Sequence, residues 1–121
     1  MSDPAFVVET EVVPSPTRPV CLVTLVGKLD SVAVAEVESR VDALYEQGYR
    51  QFVFDLTRLT YVGSMGLRVF VALSNRVRGA GGVAVCALTP AIRGIFDLTK
   101  VTQLVKIYPT RREAIDAARS S

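Results

Sequence analysis

The chain has 121 residues, half of them hydrophobic and 21% charged, with 14 Lys and Arg against 12 Asp and Glu for a net charge of +2. Those numbers describe one globular domain able to bury roughly two-thirds of its unfolded surface, and they argue against a disordered chain or a basic nucleic-acid binder. There is no histidine, which removes the usual general base, the Ser-His and Cys-His pairs and most zinc sites.

Phe6 to Val13 is rich in β-formers and partly alternates, which predicts a strand at a sheet edge. Three prolines between Pro14 and Pro19 break it. Val20 to Val26 is almost wholly apolar and reads as a second strand covered on both faces. Gly27-Lys28-Leu29-Asp30-Ser31 closes that strand and opens a helix in which Val34, Val37, Val41 and Leu44 recur at helical spacing, with Gly48 as its stop. Residues 51–56 form a third strand, followed by a short polar turn and a second apolar pair, Tyr61-Val62. Residues 64–78 form a second helix ended by Gly79. Val83 to Leu88 is a fourth, buried strand, and Thr89-Pro90 is a cap followed by an N1 proline for a short helix to Asp97. Leu104 to Tyr108 is a fifth strand. Thr110 and Glu113 have the spacing of a capping box for a last helix to about Arg119.

The order β-β-α-β-α-β-α-β-α implies a single α/β domain over residues 1–121, with a core at about 5–119. Its sheet is mixed but mostly parallel, with about five strands, four helices and one antiparallel edge. No run approaches the roughly 18 apolar residues that span a bilayer. Met1 to Phe6 lacks the basic start and apolar core of a signal peptide, so a cytoplasmic location is expected. Cys21 and Cys86 each lie in an apolar strand and read as buried structural thiols.

Chemistry in such a sheet gathers at the carboxyl ends of the strands. Two polar tips stand there, Asp30-Ser31 and Gly63-Ser64, and they meet if the second and third strands are neighbours. Ser64 is placed as the N-cap of the second helix, where a hydroxyl faces free amides in a field favouring negative charge. The Gly-x-Ser-x-Gly nucleophile elbow is absent, because Val62 holds the position two before Ser64. No Walker-type phosphate loop occurs either. In the second helix Leu67, Phe70, Val71, Ser74 and Val77 form one face that suits the sheet. Met65, Val69 and Leu73, flanked by Arg68 and Arg76, form another. That second stripe is either a boundary under a neighbouring helix or an exposed docking surface.

Residues 20–31, with Gly27-Lys28-Leu29-Asp30, resemble the Gly-x-Leu-Asp strand-to-helix tip of the STAS domain family. Residues 52–67 resemble its central signature, in which an apolar strand ending in Asp-Leu is followed by a second apolar stretch and Asp-Ser-Ser-Gly-Leu. Residues 85–98 resemble its next strand and short helix. The resemblance spans roughly residues 5–119 and points to the bacterial anti-sigma factor antagonists. It implies that Ser64 is the residue phosphorylated by a cognate anti-sigma factor, itself an ATP-dependent serine kinase, and that Asp30 helps form the docking surface. It implies further that the unphosphorylated protein binds the anti-sigma factor and frees a sigma factor, and that the phosphate ends that binding. This chain has Gly63 and Met65 where the family signature has Asp and Ser.

The expected site is therefore Ser64 for phosphorylation, and Asp30, Ser31, Gly63, Ser64, Met65, Arg68, Val69 and Leu73 for partner binding. No catalytic residue, metal or cofactor is expected. The partner would be an anti-sigma factor of serine-kinase fold, with no nucleic acid or membrane, and the protein itself a monomer or weak dimer. The alternative is a STAS-type interaction module that phosphate does not switch, such as a scaffold, a transporter-associated subunit or a ligand sensor. An enzyme would rest only on the exposed serine near a carboxylate.

Overall fold

A computed structural model describes residues 6–120; Met1 to Ala5, read above as lacking a leader, lie outside them. The five strands are β1 (Val7–Val13), β2 (Val20–Leu29), β3 (Gln51–Val62), β4 (Gly82–Cys86) and β5 (Lys106–Tyr108). The helices are α1 (Ser31–Glu46), α2 (Ser64–Val77), α3 (Pro90–Leu98) and α4 (Arg111–Arg119). One sheet holds the strands in chain order, with β1 antiparallel to β2 and every later pair parallel. The α/β reading, the element order and the antiparallel edge all stand.

Sequential order decides where the helices go. Right-handed crossovers that step in one direction across a sheet stay on one face. Buried residues of α1, α2 and α3 accordingly share a single core with one face of the sheet, around Phe52, Phe54 and Phe70. Phe54 meets Phe70 edge-on with centroids 5.0 Å apart, and Phe70 lies 5.7 Å from Phe96. The opposite face carries a smaller core of Val20, Leu22, Val53, Ala84 and Cys86 under Ala114 of α4. Cys21 and Cys86 are both buried and unpaired, in different cores on opposite faces.

The caps of α3 and α4 form where the side chains specify them. Thr89 accepts from the Ile92 amide, with Pro90 at the start of α3, and Thr110 accepts from the Glu113 amide at 3.1 Å. Gly48 and Gly79 take the positive φ that ends a helix.

β2 runs on to Leu29 rather than ending at Val26, and other boundaries also differ from the sequence expectation. β3 does not turn after residue 56 but continues as one strand to Val62, because its outer half still pairs with the end of β2, Leu29 opposite Val62. β4 ends at Cys86, since Ala87 adopts φ 59°. β5 begins only at Lys106, after a 3-10 turn at Val101–Gln103 that the apolar pattern does not announce.

Candidate functional site

The long β3 brings the two polar tips together. β2 and β3 are parallel neighbours, and the Gly63 amide donates to the Leu29 carbonyl at 3.3 Å, directly before Asp30. The Thr60 hydroxyl also reaches across, donating to the Gly27 carbonyl at 3.1 Å. Residues 30 and 63 are thus the first positions beyond two hydrogen-bonded strand ends, and both strands pass straight into helices.

Asp30 is the N-cap of α1. Its Oδ1 accepts from the amides of Val32 at 3.2 Å and Ala33 at 3.0 Å, so this carboxylate orders the turn on which it stands. Ser31 opens the helix and is exposed.

The N-cap of α2 is Gly63, not Ser64 as the sequence suggested. Gly63 has extended backbone, φ −94° and ψ 179°, and offers no side-chain cap; Ser64 is the first helical residue and is exposed. The helix starts one residue early because the Gly63 carbonyl already accepts from the Leu67 amide at 3.1 Å. α2 therefore begins with no side-chain acceptor for its first amides and no acid in its first turn. Its positive end is left to solvent or to whatever binds there.

The two glycines flanking this turn have different reasons. A Cβ on Gly66 would lie 2.9 Å from Leu29 Cγ and Cδ2 and from Val62 Cγ2, so Gly66 lets α2 close onto the strand ends. A Cβ on Gly63 would lie 3.1 Å from the Tyr61 hydroxyl, so the half-exposed Tyr61 ring leans over the cap.

The apolar stripe of α2 does not face solvent. Val69 is 5% exposed and Leu73 2%, and both belong to the main core where α1 packs beside α2. Arg76 ties the two helices together with a 2.5 Å ion pair to Asp42 and lies 4.1 Å above the Tyr45 ring. The boundary reading of this stripe therefore holds. Val69 and Leu73 are removed from the candidate docking surface, because the neighbouring helix covers them. Met65 and Arg68 remain exposed. In place of the buried pair the surface gains Val32, 81% exposed in the first turn of α1, and Tyr61, 47% exposed at the end of β3. Sequence reasoning missed both. An apolar residue two positions after the N-cap aspartate, in the exposed first turn of a helix, was the available signal for Val32.

The strongest electrostatic feature elsewhere is Asp55, 4% exposed on the α4 face of the sheet. Its Oδ1 accepts from the Thr57 amide and hydroxyl, and its Oδ2 from Arg111 Nε at 2.8 Å and Nη2 at 2.7 Å. Burial pushes this carboxyl up, but the Thr57 bonds and the Arg111 guanidinium outweigh it and hold it below its usual range. All its partners lie in β3 or at the start of α4, and it clamps that helix to the sheet. The cysteine thiols are pushed up by burial, Cys21 to about 11 and Cys86 to about 12, the latter helped by the Asp55 charge and opposed by Arg111.

The STAS domain family model matches residues 8–114. The chain belongs to the STAS domain family. BtrV of Bordetella bronchiseptica, provisionally named an anti-sigma factor antagonist, is 29% identical over 98 residues, covering 80% of this chain and 84% of that protein. An anti-sigma F factor antagonist of Paenibacillus polymyxa is 27% identical over 100 residues, covering 81% and 86%. Among solved structures, an anti-sigma factor antagonist from Mycobacterium paratuberculosis superposes with a TM-score of 0.80 at 27% identity, covering 93% of this chain and 95% of that one. The structure places Asp30 and Gly63-Ser64 directly beyond adjacent, hydrogen-bonded strand ends. Among the described residues no helix is long and apolar enough to cross a membrane.

Proposed function

We propose that this STAS domain is an anti-sigma factor antagonist. It binds an anti-sigma factor of serine-kinase fold through the surface around Ser64, and phosphorylation of Ser64 by that partner ends the binding. The observation that carries the reading is the exposure of Ser64 on the uncapped first turn of α2, one strand away from Asp30 and among the exposed apolar side chains Val32, Tyr61 and Met65. Apolar residues ringing a small polar centre suit a protein partner better than a substrate. The chain acts by binding rather than catalysis, in the cytoplasm, as a monomer or weak dimer without cofactor.

A kinase would transfer the γ-phosphoryl group of ATP to Ser64 Oγ: the new O–P bond forms as the bond to the β,γ-bridging oxygen breaks, ADP leaves, and the hydroxyl proton passes to a base of the kinase. The product carries about −1.5 to −2 charges. In the free protein the open amides of α2 accommodate that charge, at about 0.3–1 kcal/mol favourable. Inside an interface the same charge must be desolvated against apolar neighbours, which costs several kcal/mol if it stays unpaired. A loss of about 2–3 kcal/mol weakens binding roughly 30- to 150-fold.

The test uses the partner kinase identified by affinity purification. Incubation with ATP followed by peptide mass spectrometry should place one phosphate on Ser64, and Ser64→Ala should take none. Full phosphorylation of Ser64→Ala would overturn the assignment. Gly63 favours a second reading, a module that phosphate does not switch, because no carboxylate stands beside Ser64 in the turn. Unchanged partner affinity in Ser64→Glu would decide for that reading.

A further inference from the structure

At the end of the sheet opposite Ser64 lies a cavity of about 400 Å³, where the N-terminal edge of β4 runs past the short β5. Its cations come from three separate elements. Arg18 belongs to the proline-rich β1–β2 loop, Arg78 follows α2, and Lys106 begins β5. No Asp or Glu lines it. None of the three cations belongs to an ion pair among the described residues; Arg78 Nη2 donates to the neutral Asn75 amide at 2.7 Å. Like charges that line one cavity without an ion-pair partner repel one another and raise the local concentration of anions.

The walls leave the space open. Gly79, Gly81 and Gly82 form a rim without side chains, and Gly81 has no alternative, since a Cβ there would lie 2.0 Å from the Arg50 carbonyl oxygen. Across the cavity α4 presents only Ala114, Ala117 and Ala118. The volume falls in the range of small-molecule sites, and two guanidiniums suit oxyanions that accept paired hydrogen bonds.

We propose that this cavity binds a multiply charged small oxyanion, a phosphate-bearing or polycarboxylate metabolite, held by Arg18, Arg78 and Lys106. The site is independent of partner binding at Ser64.

Titration of the full chain with pyrophosphate and with citrate, at constant ionic strength and followed by amide ¹H–¹⁵N spectra, tests it. Saturable shifts should centre on Gly79, Gly81, Gly82 and Lys106. Arg78→Ala and Lys106→Ala should each weaken binding about tenfold, as loss of a charge-assisted contact implies, while Arg112→Ala, outside the cavity, should leave it unchanged. Tighter binding of pyrophosphate identifies a phosphate ligand, and tighter binding of citrate a polycarboxylate. Absence of saturable shifts with both anions would overturn the proposal. So would identical titrations in the wild type and in a folded Arg18→Ala, Arg78→Ala, Lys106→Ala variant.

Discussion

Asp55 combines almost complete burial with a full set of acceptor bonds to Thr57 and Arg111. Its native pKa lies below the ordinary 3.8, which fixes the sign of its linkage to stability. The contribution is complete above the unfolded value and is lost as the pH falls through the lower native one. Urea midpoints measured from about pH 6 down to about pH 2 should therefore show the wild type losing its advantage over Asp55→Asn as acid is added. A constant gap across that range would sink the clamp. Arg111→Ala, which strands the carboxylate, should cost about 1–3 kcal/mol near neutral pH, reduced by the half-exposure of the arginine. The cysteines make the opposite case, since burial pushes both thiols up. With thiol pKa values of about 11 and 12, Cys21 and Cys86 should react with a thiol-specific disulfide reagent at pH 8 only as fast as the chain unfolds. Rapid labelling of the folded protein would contradict their placement. The sequence already implied quiet thiols, since each sits in an apolar strand. It did not imply the Asp55 clamp, because the partner lies 56 residues away and no local pattern connects them.

At the scale of the element, the turn from β3 into α2 contains two glycines that should respond differently to substitution. Gly66→Ala drives a methyl into Leu29 and Val62, both buried strand-end residues that have no room to move, and should destabilise by about 1–3 kcal/mol in chemical denaturation. Gly63→Asp meets only the half-exposed Tyr61 ring, which can swing aside, and adds a capping carboxylate to amides that lack one. Its stability should change by a few tenths of a kcal/mol at most. Equal losses at both positions would mean that α2 does not rest on the strand ends as described. Caps and stops were legible in the chain because they are local: Thr89-Pro90, Thr110 with Glu113, Gly48 and Gly79 all act within a few residues. The two apolar stripes of α2 were legible as stripes. What covers each stripe was not, since only the packing of α1 decides that Val69 and Leu73 are core. The run from Thr57 to Thr60 looked like a turn for the same reason, its polar residues being tolerated in a strand held by its neighbour.

For the whole molecule, the parallel topology concentrates α1, α2 and α3 on one face and leaves α4 alone on the other, while the tips of β2 and β3 carry Asp30 and Ser64 clear of both cores. Ser64 is exposed at the start of α2, whose first amides have no side-chain cap and face any negative charge placed there. A switch built this way works through surface charge and needs no rearrangement of the domain. Ser64→Glu should then keep the circular dichroism spectrum and stay within about 1 kcal/mol of the wild type in stability, with a shift toward stabilisation from the helix dipole. Under the proposed function its affinity for the anti-sigma factor should fall roughly 30- to 150-fold, as 2–3 kcal/mol requires. Stability, affinity and amide chemical shifts together separate the alternatives. If both affinity and stability collapse, Ser64 is a structural residue and the surface reading fails. If stability holds and amide shifts spread through the core beyond α2, the charge acts by deforming the fold. If shifts stay within the β2 and β3 tips and the first turns of α1 and α2 while affinity falls, repulsion at the interface is the mechanism.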